Sequence, residues 1–199
     1  MSKASKLQVQ FIQAVSNSEY ELAKALLLKG AVVDGAVEDE AAIHSCARLS
    51  KKQVQWLLQN GADIDLLDAD ECTPLMVACN KGGKAASEVA AYLIDQNANT
   101  LIRRDDGMSA LEFAAKNCDP ELVEKLLKSG LPVDGPKGCD LTPAMHAVRA
   151  GNIPALKKLI ALGANLAITC RLPWAKGLDC LGIAKLEGNK RAVSVLEGR

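Results

Sequence analysis

The stretch CTPLMVACNKGG, from Cys72 to Gly83, opens on Thr-Pro, continues through small residues and closes on two glycines. Its relatives recur along the chain: AAIHSCA from Ala41, SALEFAA from Ser109, TPAMHAV from Thr142 and DCLGIAK from Asp179. From Ala41 through Thr73, Ser109, Thr142 and Asp179, the successive spacings are 32, 36, 33 and 37 residues. A second phrase keeps step with the first: LLLKGAVVD at Leu26, LLQNGADID at Leu57, LIDQNANTL at Leu93, LLKSGLPVD at Leu126 and LIALGANLA at Leu159. Two phrases recurring together at one period mark a repeat architecture.

Each phrase has a physical reading. Thr73, Ser109, Thr142 and Asp179 can accept from free amides at a helix start. Pro74 and Pro143 follow at the first helical position, where no amide donor is needed. Ala41 cannot cap, so the second repeat is expected to start softly. The alanines that follow keep the first helix slim. The paired aliphatics of the second phrase give the second helix a stripe that one repeat cannot bury alone. Gly30, Gly61, Gly130 and Gly163 close that helix, and Asn97 stands in at the same position, as Asn does in left-handed caps.

This pattern resembles the ankyrin repeat, with its period near 33 residues and its T-P-L-H-x-A signature. The resemblance covers roughly Leu7 to Leu196 and implies an all-α ankyrin-repeat solenoid of about six helix-turn-helix repeats. Short finger loops join them, and divergent capping repeats close both ends. The expected organisation is a single domain over 1–199, with repeats near 5–34, 36–65, 68–100, 104–134, 137–167 and 174–199.

Composition narrows the function. Aromatics make up 3% of the chain, so its core must be aliphatic. With 24 basic and 24 acidic residues the net charge is zero, without the one-sided basic surface that phosphate backbones attract. No segment has the length and apolarity of a membrane span, and MSKASKLQVQ lacks a secretory apolar core; a cytoplasmic location is expected. The seven cysteines form no C-x-x-C pair, which speaks against a zinc ribbon or disulfide framework. No catalytic constellation, metal site or phosphate loop is evident, so no catalytic residue, cofactor or metal is assigned. His44 holds the signature's histidine position and His146 lies one place beyond it.

Three departures from the repeat stand out. GGKAASE, residues 82–88, lengthens the third repeat by a loop or an extended helix. ITCRLPWAKGLD, residues 168–179, lengthens the last finger. There Trp174 is either an exposed anchor, a type enriched in binding hot spots, or a cover for the terminal repeat. Cys118 stands where the family prefers glycine.

The family's use of the concave face implies a partner-binding set on finger tips and helix ends: Glu38, Glu40, Arg48, Asp70, Lys81, Asp105, Asp106, Met108, Lys116, Leu141, Arg149, Trp174 and Lys176. Acidic fingers (EDE at 38–40, DADE at 68–71, DD at 105–106) beside basic helix ends suit a protein partner, because opposed charges orient encounter. The expected function is non-catalytic binding of another protein by a chain that is monomeric when unbound. A dedicated inhibitor or neutralising partner is one form of it. A small-ligand receptor or enzyme with a site in the groove is the alternative class, and nucleic acid and membrane are not expected partners.

Overall fold

A computed structural model describes residues 3–38, 40–48 and 50–198. Among these residues twelve α-helices follow one another in pairs: α1 (Lys3–Ser16) and α2 (Tyr20–Leu28), α3 (Ala42–Ala47) and α4 (Lys51–Gln59), α5 (Pro74–Lys81) and α6 (Gly83–Asp95), α7 (Ala110–Asn117) and α8 (Pro120–Lys128), α9 (Pro143–Ala150) and α10 (Ile153–Ala161), α11 (Cys180–Leu186) and α12 (Lys190–Glu197). The fold is all-α, built of repeated helix pairs. Its one described strand pair is minimal: β1 (Ala36–Val37) and β2 (Glu40–Ala41) run antiparallel, with Ala36 opposite Ala41. The chain divides into two compact units, Met1–Ala78 with Lys84–Asn99, and Cys79–Gly83 with Thr100–Arg199.

The caps form where the sequence places them. Thr73 Oγ1 accepts from the Met76 amide at 3.2 Å, Thr142 Oγ1 from Met145 at 3.3 Å and Asp179 Oδ1 from Gly182 at 2.8 Å. Ala41 leaves α3 without a side-chain cap, and α3 is the shortest of the twelve helices at six residues. Second helices end as expected. Gly130 has φ +102° and Asn97 has φ +63°, so the asparagine takes the left-handed conformation its repeat needs. The following Ala98 amide reaches back to the Leu93 carbonyl at 3.0 Å, satisfying one of the helix's last acceptors.

In the first unit Phe11, Ile43, Leu57, Leu75 and Leu93 are fully buried. Trp56 stacks on Tyr20 at 5.4 Å between ring centroids. In the second, Leu111, Leu126, Met145, Leu156, Leu159 and Ile183 form the core. Within the aliphatic pairs the leading residue is buried (Leu26, Leu57, Leu93, Leu126, Leu159), while its neighbour is half-buried. Consecutive helical residues lie 100° apart, so only one of the two can point at the layer's centre.

Side chains at repeat spacing tie neighbouring repeats together. Asp34 accepts from the Asp63 amide at 3.1 Å, Asp65 from Asn99 at 2.9 Å and Asp134 from Asn165 at 2.8 Å. Asn152 and Asn189 do similar work at the starts of α10 and α12. Asn152 Oδ1 caps Ala155 at 3.2 Å, while its Nδ2 donates to the carbonyls of Ala115 and Cys118 at 3.1 and 2.9 Å. Asn189 caps Ala192 at 3.1 Å and donates to Val148 at 2.8 Å.

The departures from the repeat each take a definite form. Residues 82–88 do not form a loop: after Gly82 the chain enters α6, which has 13 residues where α4, α8 and α10 have nine. Cys118 replaces the left-handed glycine with extended backbone at φ −111°. Its buried thiol donates to the Cys79 carbonyl at 3.3 Å. Among the described residues the seven cysteines form no disulfide, and Cys139 alone of them is more than marginally exposed.

Candidate functional site

A gathering of chemistry-bearing side chains lies in the second unit, where α7 and α9 meet the fingers that precede α7, α9 and α11. Ser109 and Glu112 make a capping box at the start of α7. Glu112 Oε2 accepts from the Ser109 amide at 2.7 Å and from its hydroxyl at 2.6 Å. That interaction holds the carboxylate inward, so Glu112 is only 2% exposed. Among the described residues its Oε1 has no hydrogen-bond partner, and the Arg103 guanidinium stands 3.7 Å away. Beside it, burial and then the Glu112 carboxylate push the Cys139 thiol up.

These groups surround a small cavity of about 180 Å³. Its walls are Asp106, Gly107 and Met108 of one finger, Cys139, Asp140 and Leu141 of the next, Leu172 of the last, and Glu112 and His146 from α7 and α9. His146 is held down to about 4 by burial first, then by the charges of Lys116 and Arg149, with Asp106 opposing. It is a neutral imidazole at pH 7.

Next along α9, Arg149 lies over the Trp174 ring, its Cζ 4.5 Å from the centroid, and its Nε is 3.2 Å from Glu187 Oε1. Trp174 sits in a single 3₁₀ turn, Pro173–Ala175, and is 42% exposed. Trp174 is thus partly exposed, and the packing partner seen for its ring is Arg149 of α9 rather than a residue of the terminal repeat. The last finger is secured by the Cys170 amide, which donates to the Leu178 carbonyl at 2.8 Å, and by the Arg171 amide, which donates to the Asp140 carbonyl at 3.2 Å.

The other expected contact residues divide between the units. Glu38, Glu40, Arg48 and Asp70 belong to the first, and Asp39 of the EDE triplet lies outside the described residues. Glu38 and Asp70 are exposed, whereas Arg48 is ion-paired with Glu40, so those two charges largely answer each other. Lys81, Asp105, Asp106, Met108, Lys116, Leu141, Arg149, Trp174 and Lys176 belong to the second. Lys81, Asp105, Asp106 and Lys176 are exposed, and Met108 and Lys116 are half-buried. Lys116 extends over the Phe113 ring. Asp106 pairs with Arg104 at 3.5 Å. Leu141, placed by the sequence in the partner-binding set, is 8% exposed and forms part of the cavity wall.

Sequence reasoning passed over Glu112, Arg103 and Glu187. The S-x-x-E spacing of Ser109 and Glu112 was available as a capping-box signature. It accounts for one carboxylate oxygen and is silent about the other.

Among the described residues no helix is long and apolar enough to cross a membrane, and no cluster of three or more His, Cys, Asp or Glu side chains is arranged to hold a metal ion. The family model for ankyrin repeats (3 copies) matches residues 11–100 and 43–137. The ankyrin repeat protein nuc-2 of Neurospora crassa is 27% identical over 164 residues, covering 77% of this chain and 15% of that protein. The ankyrin repeat domain-containing protein SAT10 of Stachybotrys chartarum is 28% identical over 170 residues, covering 77% of this chain and 8% of that protein. A Caenorhabditis elegans homolog of transient receptor potential cation channel subfamily A member 1 is 28% identical over 116 residues, 58% of this chain and 9% of that one. The chain thus spans a small fraction of the length of these relatives. Ankyrin repeats are in general protein-interaction modules and typically non-catalytic. With its period, its caps and its family match in agreement, the chain belongs to the ankyrin-repeat family.

Proposed function

We propose that the protein binds another protein without catalysis, using finger tips and exposed helix ends, with Trp174 as the principal anchor. One observation carries this reading. Trp174 is a large aromatic left 42% exposed on a finger, yet it is held in place by the Arg149 guanidinium at 4.5 Å. An ordered aromatic loses little conformational freedom on binding, and Trp and Arg dominate interface hot spots. Asp105, Asp106, Lys116 and Lys176 of the same unit would add charge of both signs, which sets orientation and on-rate. The finer form of the proposal, an inhibitory or neutralising role, rests on the acidic fingers alone. It requires that the purified pair suppress an activity of the partner.

The test is capture from native lysate with three baits: wild type, Trp174→Ala, and Asp105→Lys with Asp106→Lys. Each bait is first checked for an unchanged circular dichroism melt. A partner held by wild type and lost from the Trp174 variant supports the anchor. A partner held equally by all three baits refutes this surface.

A further inference from the structure

We propose that the groove between the fingers preceding α9 and α11 receives an extended acidic segment of the protein partner, with a carboxylate on Arg171 and aliphatic neighbours against the groove walls. This rests on the protein-binding reading above and supplies the chemistry of one contact, through residues that reading does not use. Three observations carry it.

The first is an open cationic fork. Arg171 belongs to the lengthened last finger, three residues before Trp174. Its amide donates to the Asp140 carbonyl at 3.2 Å and its Nη1 to the Gly138 carbonyl at 2.9 Å, so the preceding finger holds both ends of the residue. Gly138 permits this approach, since a Cβ there would lie 3.0 Å from Nη1. Arg171 is nonetheless exposed, and the rest of its guanidinium has no described partner. A fork positioned in advance and still carrying free donors matches a carboxylate, which it can bind through two parallel bonds.

The second is the charge of the walls. Lys137 is exposed on the same groove, and no described residue pairs with its ammonium. Asp134 is the one carboxylate among the described walls, and its Oδ1 is engaged by the Asn165 amide at 2.8 Å. Two cations against one engaged carboxylate leave the groove positive, in a chain whose net charge is zero. An anionic guest is favoured there and a cationic one repelled.

The third is shape. The groove holds about 500 Å³, and Pro132, Val133, Pro136 and Ile168 give it apolar walls. Its size suits a short extended segment rather than a folded element. The apolar walls beside the cations call for aliphatic side chains flanking the acidic residue. A bare anion would leave those walls uncovered.

The experiment is an amide-resolved NMR titration of the full chain with the capped tripeptide acetyl-Val-Glu-Val-amide. The control probes are acetyl-Val-Gln-Val-amide, acetyl-Gly-Glu-Gly-amide and inorganic phosphate. The expected result is saturable shifts at Val133, Lys137, Gly138, Thr169 and Arg171 with the first peptide. The glutamine peptide should bind about tenfold more weakly, the scale of one charge-assisted hydrogen bond. The glycine-flanked peptide and phosphate should also bind more weakly. Arg171→Gln should weaken the glutamate peptide by about tenfold and leave the glutamine peptide unchanged. Arg171→Lys should weaken it too, because an ammonium keeps the charge and loses the fork. Lys137→Gln, at a side chain with no described partner, should weaken it by a smaller factor. Each variant is first checked for an unchanged melt. Equal binding of the glutamate and glutamine peptides, shifts that are absent or lie elsewhere, or indifference to both Arg171→Gln and Lys137→Gln overturns the proposal. Phosphate binding as tightly as acetyl-Val-Glu-Val-amide also overturns it, by making the groove a free-anion site. Failure here alongside Trp174-dependent capture removes only the acidic-segment groove. Peptide binding alongside capture that ignores Trp174 removes the anchor instead.

Discussion

Asn152 offers a test of how the repeats are joined. Its Oδ1 caps α10 through the Ala155 amide, and its Nδ2 donates to the carbonyls of Ala115 and Cys118 in the preceding repeat. Replacing it with alanine removes all three bonds. The cap is worth about 1 kcal/mol and each donated bond about 1 kcal/mol, giving about 3 kcal/mol of destabilisation. Asn152→Asp separates the two roles. Aspartate caps as well as asparagine, but it has no donor and turns a carboxylate towards two carbonyl oxygens. It should therefore cost about 2 kcal/mol or more, despite the intact cap. Asn189 is the internal comparison, because it donates to one carbonyl, that of Val148. Asn189→Asp should cost about half as much as Asn152→Asp. The assay is urea denaturation followed by far-ultraviolet circular dichroism, comparing midpoints at constant slope. If Asn152→Asp falls within about 0.5 kcal/mol of wild type, the inter-repeat bonds contribute nothing and the clamp argument is wrong.

Three further outcomes follow from the same geometry. His146 has its pKa lowered in the folded chain to about 4, so the unfolded chain binds more protons between pH 4 and 6.5 and stability must fall as pH drops through that window. The loss is about 1–2 kcal/mol once screening at this half-buried site is allowed for, and a pH series of melts should show it shrinking in His146→Gln. At Gly130, φ is +102° and nothing stands within 4 Å of the place an added methyl group would take, so Gly130→Ala should cost about 1 kcal/mol from backbone conformation alone. Gly130→Asn should cost less, as Asn97 adopts the same region, and chemical denaturation of the pair ranks them. Leu126→Ala empties a fully buried site and should cost about 2–5 kcal/mol, read as a lowered urea midpoint.

Features governed by nearby residues are legible in the sequence. Thr142, Asp179 and Asn97 act within three or four residues of themselves, so their types and spacing suffice to read a cap or a helix end. Residues 82–88 are ambiguous because Lys-Ala-Ala-Ser-Glu favours a helix about as readily as a polar loop; α6 takes the helical option. Trp174 cannot be read locally, since its half-exposure depends on Arg149, 25 residues earlier in the chain. The charges show the same limit. Arg48 and Glu40, or Arg149 and Glu187, are visible as charged residues, but that each pair is joined emerges only when the fold brings them together. Leu141 defeats a local reading for a related reason: its place at the tip of a finger suggests an open side chain, yet neighbouring fingers enclose it in the cavity wall.

The polar side chains therefore divide by whether the repeats need them. Asp34, Asp65 and Asp134 recur at the period, and each accepts a backbone amide of the next repeat. Asn152 and Asn189 recur and clamp carbonyls. Their chemistry is consumed in holding the stack. Trp174 has no counterpart in the fingers of the other repeats. A side chain that the lattice does not use is available for contact with something else. The distinction has an observable consequence. A change at a recurring ladder or clamp position should move the melting transition first, with binding following it. A change at Trp174 should move binding while the melt stays in place, because the ring packs on the surface guanidinium of Arg149 rather than within a buried layer.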